Sequence, residues 1–166
     1  MIAAIDPGFS GAIALLDPIT RKLVIHDMPT LKGVNGKTMT DRRALGRILM
    51  PSDPATRNVS MVENVSYMQH DGKDRVWQFG KHMGHLEMAL DGLGYETYVV
   101  TPAVWKKHFK LATGSDKSAS RALAMARFPH YEDLFRRAKD DGRAEAALIA
   151  LYALETISGL QNTTAA

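Results

Sequence analysis

The sequence predicts an α/β protein: a five-stranded mixed sheet, its first three strands antiparallel, with helices on both faces. Two patterns carry that reading. The first 28 residues hold three short apolar runs joined by tight turns, as in an antiparallel meander. From residue 59 onward, strand-like and helix-like segments alternate, which builds neighbouring strands with helices packed over the sheet. Composition agrees. With 166 residues and 45% hydrophobic content, the chain can bury a core without disulfides. Residues 1–160 are expected to form a single domain and 161–166 a frayed tail.

The elements follow in order. Ile2-Ala3-Ala4-Ile5-Asp6 is an apolar run ending in a carboxylate, and Pro7-Gly8-Phe9-Ser10-Gly11 is a turn by composition. Ala12 to Leu16 is the second strand, closed by Asp17-Pro18, and Lys22 to Met28 the third, closed by Pro29. Residues 30–39 show no periodicity and are expected to be a loop. Thr40 is the expected N-cap of a helix from Asp41 to Met50, stopped by Pro51. Val59 to Asn64 is the fourth strand. A long helix covers about Asp74 to Leu93, with Gly80 and Gly84 on one face, where they suit either a dimer seam or packing on the sheet. Tyr95 to Val100 is the fifth strand. Pro102 opens a short helix carrying Trp105, expected in the core. Ser115 or Asp116 caps a helix through Arg127, and the last helix runs from about Asp141 to Ile157. Trp77 and Phe79 are expected as core or dimer contacts.

Several function classes drop out. There is no cysteine, which removes thiolate metal sites and cysteine nucleophiles and suits a reducing compartment. No apolar run is long enough to span a bilayer, so no membrane partner is expected. Asp6, Pro7 and Gly8 interrupt the N-terminus before a signal-peptide core could form. His82, His85 and His108 show no convergent metal spacing and are expected to be structural or surface residues. The net charge is only +3, but the basic residues cluster. Arg42, Arg43 and Arg47 share one helix; Lys106, Lys107, His108 and Lys110 follow Trp105; Arg136, Arg137, Lys139 and Arg143 surround Asp140-Asp141. One cluster alone reads best as a solvated face. Basic clusters beside grouped carboxylates suit a phosphodiester substrate.

The carboxylates are the sharpest signal. Asp6 ends a strand before a glycine-containing turn, and it either starts that turn or faces a crevice. Glu63 interrupts an apolar strand, where a lone buried charge costs several kcal/mol, on the order of a lost solvation shell, unless paired. It either reaches solvent at the strand end or meets a cation. Asp141 and Glu145 are four apart on a helix and can point together, while Asp140 diverges from Glu145. Asp141 also suits an N-cap, and Glu145 the helix N-terminus. Four carboxylates from two strands and a helix suit a two-metal phosphodiesterase, whose ions stand about 4 Å apart. Hard divalent ions take oxygen ligands, so two Mg²⁺ are expected, with Mn²⁺ as a substitute.

Five segments in order resemble the RuvC-type Holliday-junction resolvases, and the phage-encoded branch in particular. They are Ile5-Asp6-Pro7-Gly8…Gly11; Val62-Glu63-Asn64-Val65-Ser66; Trp105-Lys106-Lys107; Asp116-Lys117-Ser118-Ala119-Ser120; and Asp141-Gly142-Arg143-Ala144-Glu145-Ala146. The resemblance spans roughly residues 2 to 155. It implies a ribonuclease H-like fold, a homodimer, and paired Mg²⁺-dependent nicks in a four-way DNA junction. It assigns the acids to Asp6, Glu63, Asp141 and Glu145, with Asp140 as a substitute for Asp141. Glu145 departs from the family's usual Asp. Lys117 resembles a residue that contacts the scissile phosphate, though it also reads as an ordinary helix-start lysine. Tyr67 could stack at the crossover or sit in the core. Lys106, Lys107 and Arg143 join them as candidate DNA contacts. A phage-encoded chain would work in the cytoplasm of a bacterial host.

Three other readings compete. One is a nuclease on other branched DNA or on RNA. Another is a non-catalytic junction-binding protein, which the altered acid Glu145 keeps open. The third is an ATPase of the actin and sugar-kinase group, whose first strand also ends in Asp-x-Gly. It needs two such domains, more than this chain holds.

Overall fold

The computed structural model describes residues 1–53, 55–65, 72–112 and 117–160, without the side chains of Asn35 and Lys117. The expected cap at Ser115 or Asp116, Tyr67, the Lys117 side chain and the tail 161–166 lie outside the described residues.

Strand periodicity decides the architecture. β1 (Ile2–Asp6), β2 (Ala12–Leu16), β3 (Leu23–Asp27), β6 (Val59–Glu63) and β7 (Glu96–Val100) form one sheet in the order β3-β2-β1-β6-β7. β1, β2 and β3 pair antiparallel, while β6 joins β1 and β7 joins β6 in parallel. Alternate side chains go to opposite faces. Ile2, Ala4, Ala12, Ala14, Val59 and Met61 pack into one cluster with α5 (Asp141–Thr156). Ala3, Ile5, Ile13 and Val62 pack into another with α1 (Arg42–Leu49) and α2 (Lys73–Gly92). Helices therefore cover both faces, as the sequence predicts.

α5 is buried nearly all round after its first turn, because α4 (Lys117–Arg127) covers the side turned away from the sheet. Its alanines allow close approach to the strands: Ala144, Ala146, Ala147, Ala150 and Ala153 are wholly buried. α3 (Pro102–His108) leads off β7, and Trp105 is wholly buried in the same cluster.

Two expectations fail between β3 and α1. Residues 30–39 are not a plain loop. They form a hairpin of β4 (Thr30–Lys32) and β5 (Thr38–Thr40), joined through a 3₁₀ turn at Val34–Gly36. Its strands are three residues each, too short to show a period; β4 is exposed, while β5 is half-buried and ends in the buried Thr40. The N-cap of α1 is Asp41 rather than Thr40: its carboxylate accepts from the Arg43 and Ala44 amides at 3.1 and 3.0 Å. Thr40 ends β5 instead, with Oγ1 2.8 Å from Nδ1 of the buried His82.

On α2, Trp77 is 66% exposed and so is not a core residue. A Cβ at Gly80 or Gly84 would meet nothing within 4 Å, so that face does not pack on the sheet.

Candidate functional site

The alternation that builds the core also aims the acids. Ile2 and Ala4 face α5, so Asp6, two residues on, belongs to the same side; Val59 and Met61 put Glu63 there too. Ile5 pairs with Val62 in the parallel register, which sets Asp6 beside Glu63 at the carboxyl ends of adjacent strands. Glu63 is 4% exposed.

The start of α5 closes over this edge. Gly11 must be glycine, since a Cβ there would fall 2.2 Å from the Asp6 carbonyl oxygen. Gly142 sits directly against it. A Cβ on Gly142 would lie 2.7 Å from Gly11 Cα, 2.9 Å from the Ser10 carbonyl and 3.0 Å from Asp6 Oδ2. Two facing glycines thus bring the first turn of α5, with Asp141 and Glu145, onto the Asp6 turn. The Gly8 amide donates to Asp6 Oδ1 at 3.2 Å.

Each neighbouring acid has a specific partner. The Trp105 indole N–H donates to Glu63 Oε1 at 2.7 Å inside the core. Lys106 Nζ lies 2.9 Å from Glu145 Oε1, with both side chains mostly covered. The Ser120 hydroxyl makes a longer contact to the same oxygen at 3.4 Å. Arg121 of α4 is ion-paired with Asp141 and also donates to the Ala138 carbonyl at 3.1 Å. The Glu63 carboxyl is pushed up to about 7, chiefly by burial and in part by the nearby Asp6 and Glu145 carboxylates, against the Trp105 hydrogen bond and the Lys106 charge. A buried carboxyl crowded by like charges favours a bound cation, and the donors are all hard oxygens. The donor chemistry therefore suits a divalent ion. As they stand, no three carboxylates or imidazoles among the described residues converge closely enough to hold one. Lys106 and Arg121 hold Glu145 and Asp141 instead.

Not every candidate joins the cluster. Asp140 does not serve as an open ligand. It is 1% exposed and accepts from the Arg137 amide at 2.9 Å and the Arg137 guanidinium at 2.8 Å, with Arg143 at 3.6 Å. Arg137 holds its carboxyl below the ordinary value. Arg143 is likewise not a free phosphate contact. It forks onto Asp27 with hydrogen bonds of 2.5 and 2.6 Å, bolting α5 to β3. Lys107 is exposed beside the site, and Lys106 is half-buried within it.

Trp105 as a hydrogen-bond donor and Arg121 as a partner of Asp141 were not anticipated from the sequence. An indole inside a core needs a partner for its N–H, and Glu63 was the obvious unpaired acceptor. Arg121 carried only the hint of its position four residues after Lys117, one helical turn along.

No family model matches the chain. A stretch of 79 residues, 48% of the chain, is 37% identical to the chloroplastic Holliday junction resolvase MOC1 of Chlamydomonas reinhardtii. The match spans 8% of that much longer protein. Among solved structures, Thermus thermophilus RuvC superposes with a TM-score of 0.56 at 14% identity, covering 93% of this chain and 95% of RuvC. T. thermophilus RuvC in complex with a Holliday junction substrate superposes with a TM-score of 0.57, again at 14% identity, over 96% of each chain. The chain thus has the ribonuclease H-like fold of RuvC.

Proposed function

We propose that this protein is a structure-specific endonuclease that resolves four-way DNA junctions by metal-dependent phosphodiester hydrolysis. The observation that carries the reading is the buried carboxyl of Glu63 within electrostatic reach of Asp6 and Glu145 at one end of the sheet, with Gly142 bringing the start of α5, and so Asp141, against the Asp6 turn. The RuvC fold and the local identity to a junction resolvase support the substrate class. Placement in the phage-encoded branch rests on motif order alone.

Asp6, Glu63, Asp141 and Glu145 would hold the ions, two Mg²⁺ with Mn²⁺ as a substitute. Paired ions of this kind supply an activated water and stabilise the leaving oxygen. Asp141 takes the third position in preference to Asp140, whose oxygens are spent on arginine. Lys106, released from Glu145, is placed to meet a phosphate, and Lys107 offers an exposed charge to the DNA backbone. Tyr67 and Lys117 extend the DNA contacts on sequence grounds. The active form is a homodimer through the bare face of α2, where Trp77 and Met88 are exposed beside Gly80 and Gly84.

A second reading, a non-catalytic junction-binding protein, draws on one observation: Asp141 and Glu145 are already paired with Arg121 and Lys106. A synthetic four-way junction, a flap and a linear duplex, each with Mg²⁺, Mn²⁺ or chelator, separate the readings. The nuclease reading expects paired symmetric nicks in the junction that vanish with chelator. Tight junction binding without cleavage in either metal favours the second reading. Equal cutting of all three substrates sinks junction specificity.

A further inference from the structure

The partners of the carboxylates differ in charge. Lys106 and Arg121 are cations on Glu145 and Asp141, so an arriving divalent ion is repelled by them and competes for the same lone pairs. Trp105 is neutral. Its indole offers one donor and no acceptor, and it occupies a single oxygen of Glu63. No electrostatic reason drives it away when a cation binds.

Trp105 also has nowhere to go. It is wholly buried, packed in the α5-side cluster with Val100, Phe109 and residues of α5. Moving the ring off Glu63 would open a large hole in that cluster. Lys106, on the next residue of α3, has a flexible stem and partial access to solvent, and it lies 5.1 Å from the Trp105 ring centre. The same short helix therefore carries one fixed neutral contact and one displaceable charged one.

We propose that Trp105 is a positioning residue for the metal centre: its N–H stays on Glu63 Oε1 in the loaded site and fixes the orientation in which the carboxylate would meet the ion. The idea rests on the metal-centre reading above. A carboxylate free to rotate would present its oxygens in many orientations; the fixed Trp105 N–H removes that freedom. Hydrogen bonds of this outer kind are worth about 10–100-fold in metal affinity.

Equilibrium Mn²⁺ binding, followed by the electron paramagnetic resonance of the free ion, tests this on the full chain. Wild type, Trp105→Phe and Trp77→Phe are compared. Wild type and Trp77→Phe are expected to bind alike, and Trp105→Phe about 10–100-fold more weakly. Should the Phe variant not fold, the wild-type indole resonances decide. The chain has two tryptophans, and Trp77→Phe assigns them. In Mg²⁺-saturated protein the Trp105 N–H is expected to shift yet stay protected from solvent exchange. Equal Mn²⁺ affinity in Trp105→Phe, or rapid exchange of that N–H on Mg²⁺ loading, overturns the role of Trp105 alone. Failure of the wild type to bind Mn²⁺ overturns the metal centre and this inference with it.

Discussion

The two faces of the sheet are built differently. On one, α5 lies almost flush against the strands, its alanines and Gly142 in contact and α4 closing over it. On the other, α1 and α2 cover Ile5, Ile13 and Val62 with one side each and leave Trp77, Met88, Gly80 and Gly84 facing outward. All four candidate ligands belong to the tight face. Close packing there leaves the acids few alternative positions, and catalytic geometry tolerates little error. The open face has no such duty and leaves apolar side chains uncovered, where the proposed dimer would form.

The largest contrast should come from core truncation. Leu148→Ala on α5 is expected to cost about 2–5 kcal/mol, as fully buried leucines do, whereas Met88→Ala on α2, 76% exposed, should leave stability within about 0.5 kcal/mol. Denaturant midpoints, read at a protein concentration where the chain is monomeric, measure both; similar losses there would contradict the exposure of Met88 on the subunit.

Charge burial on the tight face gives the next effect. Glu63 titrates near 7 in the folded protein against an ordinary carboxyl value of 4.5. The folded state therefore holds its proton longer than the unfolded chain does. Without divalent ions, stability should fall as pH rises from about 4.5 to about 7, by on the order of 3 kcal/mol in full. Glu63→Gln should flatten that slope and melt higher at pH 8. Below pH 7, binding of Mg²⁺ should weaken as the proton competes. A pH-independent midpoint would show that Glu63 is better solvated than its burial implies.

One substitution should change sign between the faces. Gly142→Ala pushes a methyl into Gly11, Ser10 and Asp6, and is expected to destabilise by about 1–3 kcal/mol. Gly46→Ala in α1 meets nothing within 4 Å and should stabilise by up to about 1 kcal/mol. The smallest effect on folding but a clear one on assembly is expected from Trp77→Glu. Thermal stability of the subunit should hardly move, while sedimentation should show monomer in place of dimer.

Much of this was legible in the sequence, for identifiable reasons. Apolar runs of about five residues between turn residues announced the strands, and proline or glycine at their ends announced the helices. The hairpin at 30–40 did not, because three-residue strands carry no period and the first of them faces solvent throughout. The capping role moved one residue, from Thr40 to Asp41, because two adjacent residues were both competent caps and His82 claimed Thr40. Asp6 and Glu63 stood out because carboxylates interrupt apolar strands. Asp140 and Asp141 could not be separated by spacing alone. What separates them is Arg137, three residues before Asp140, and Arg121, distant in sequence but adjacent to Asp141. Arg143 looked available for DNA until Asp27, at the end of β3, was found to hold it.

The central claim is that the four gathered carboxylates form a metal-dependent centre acting on junction DNA. Asp6→Asn keeps the size and the turn but removes the charge. Cleavage and binding of a four-way junction in Mg²⁺ by this variant and the wild type test the claim most directly. Nicking should fall by more than the roughly 100-fold that outer contacts to a metal site are worth, while junction affinity stays within a few-fold. Wild-type nicking by Asp6→Asn would contradict it.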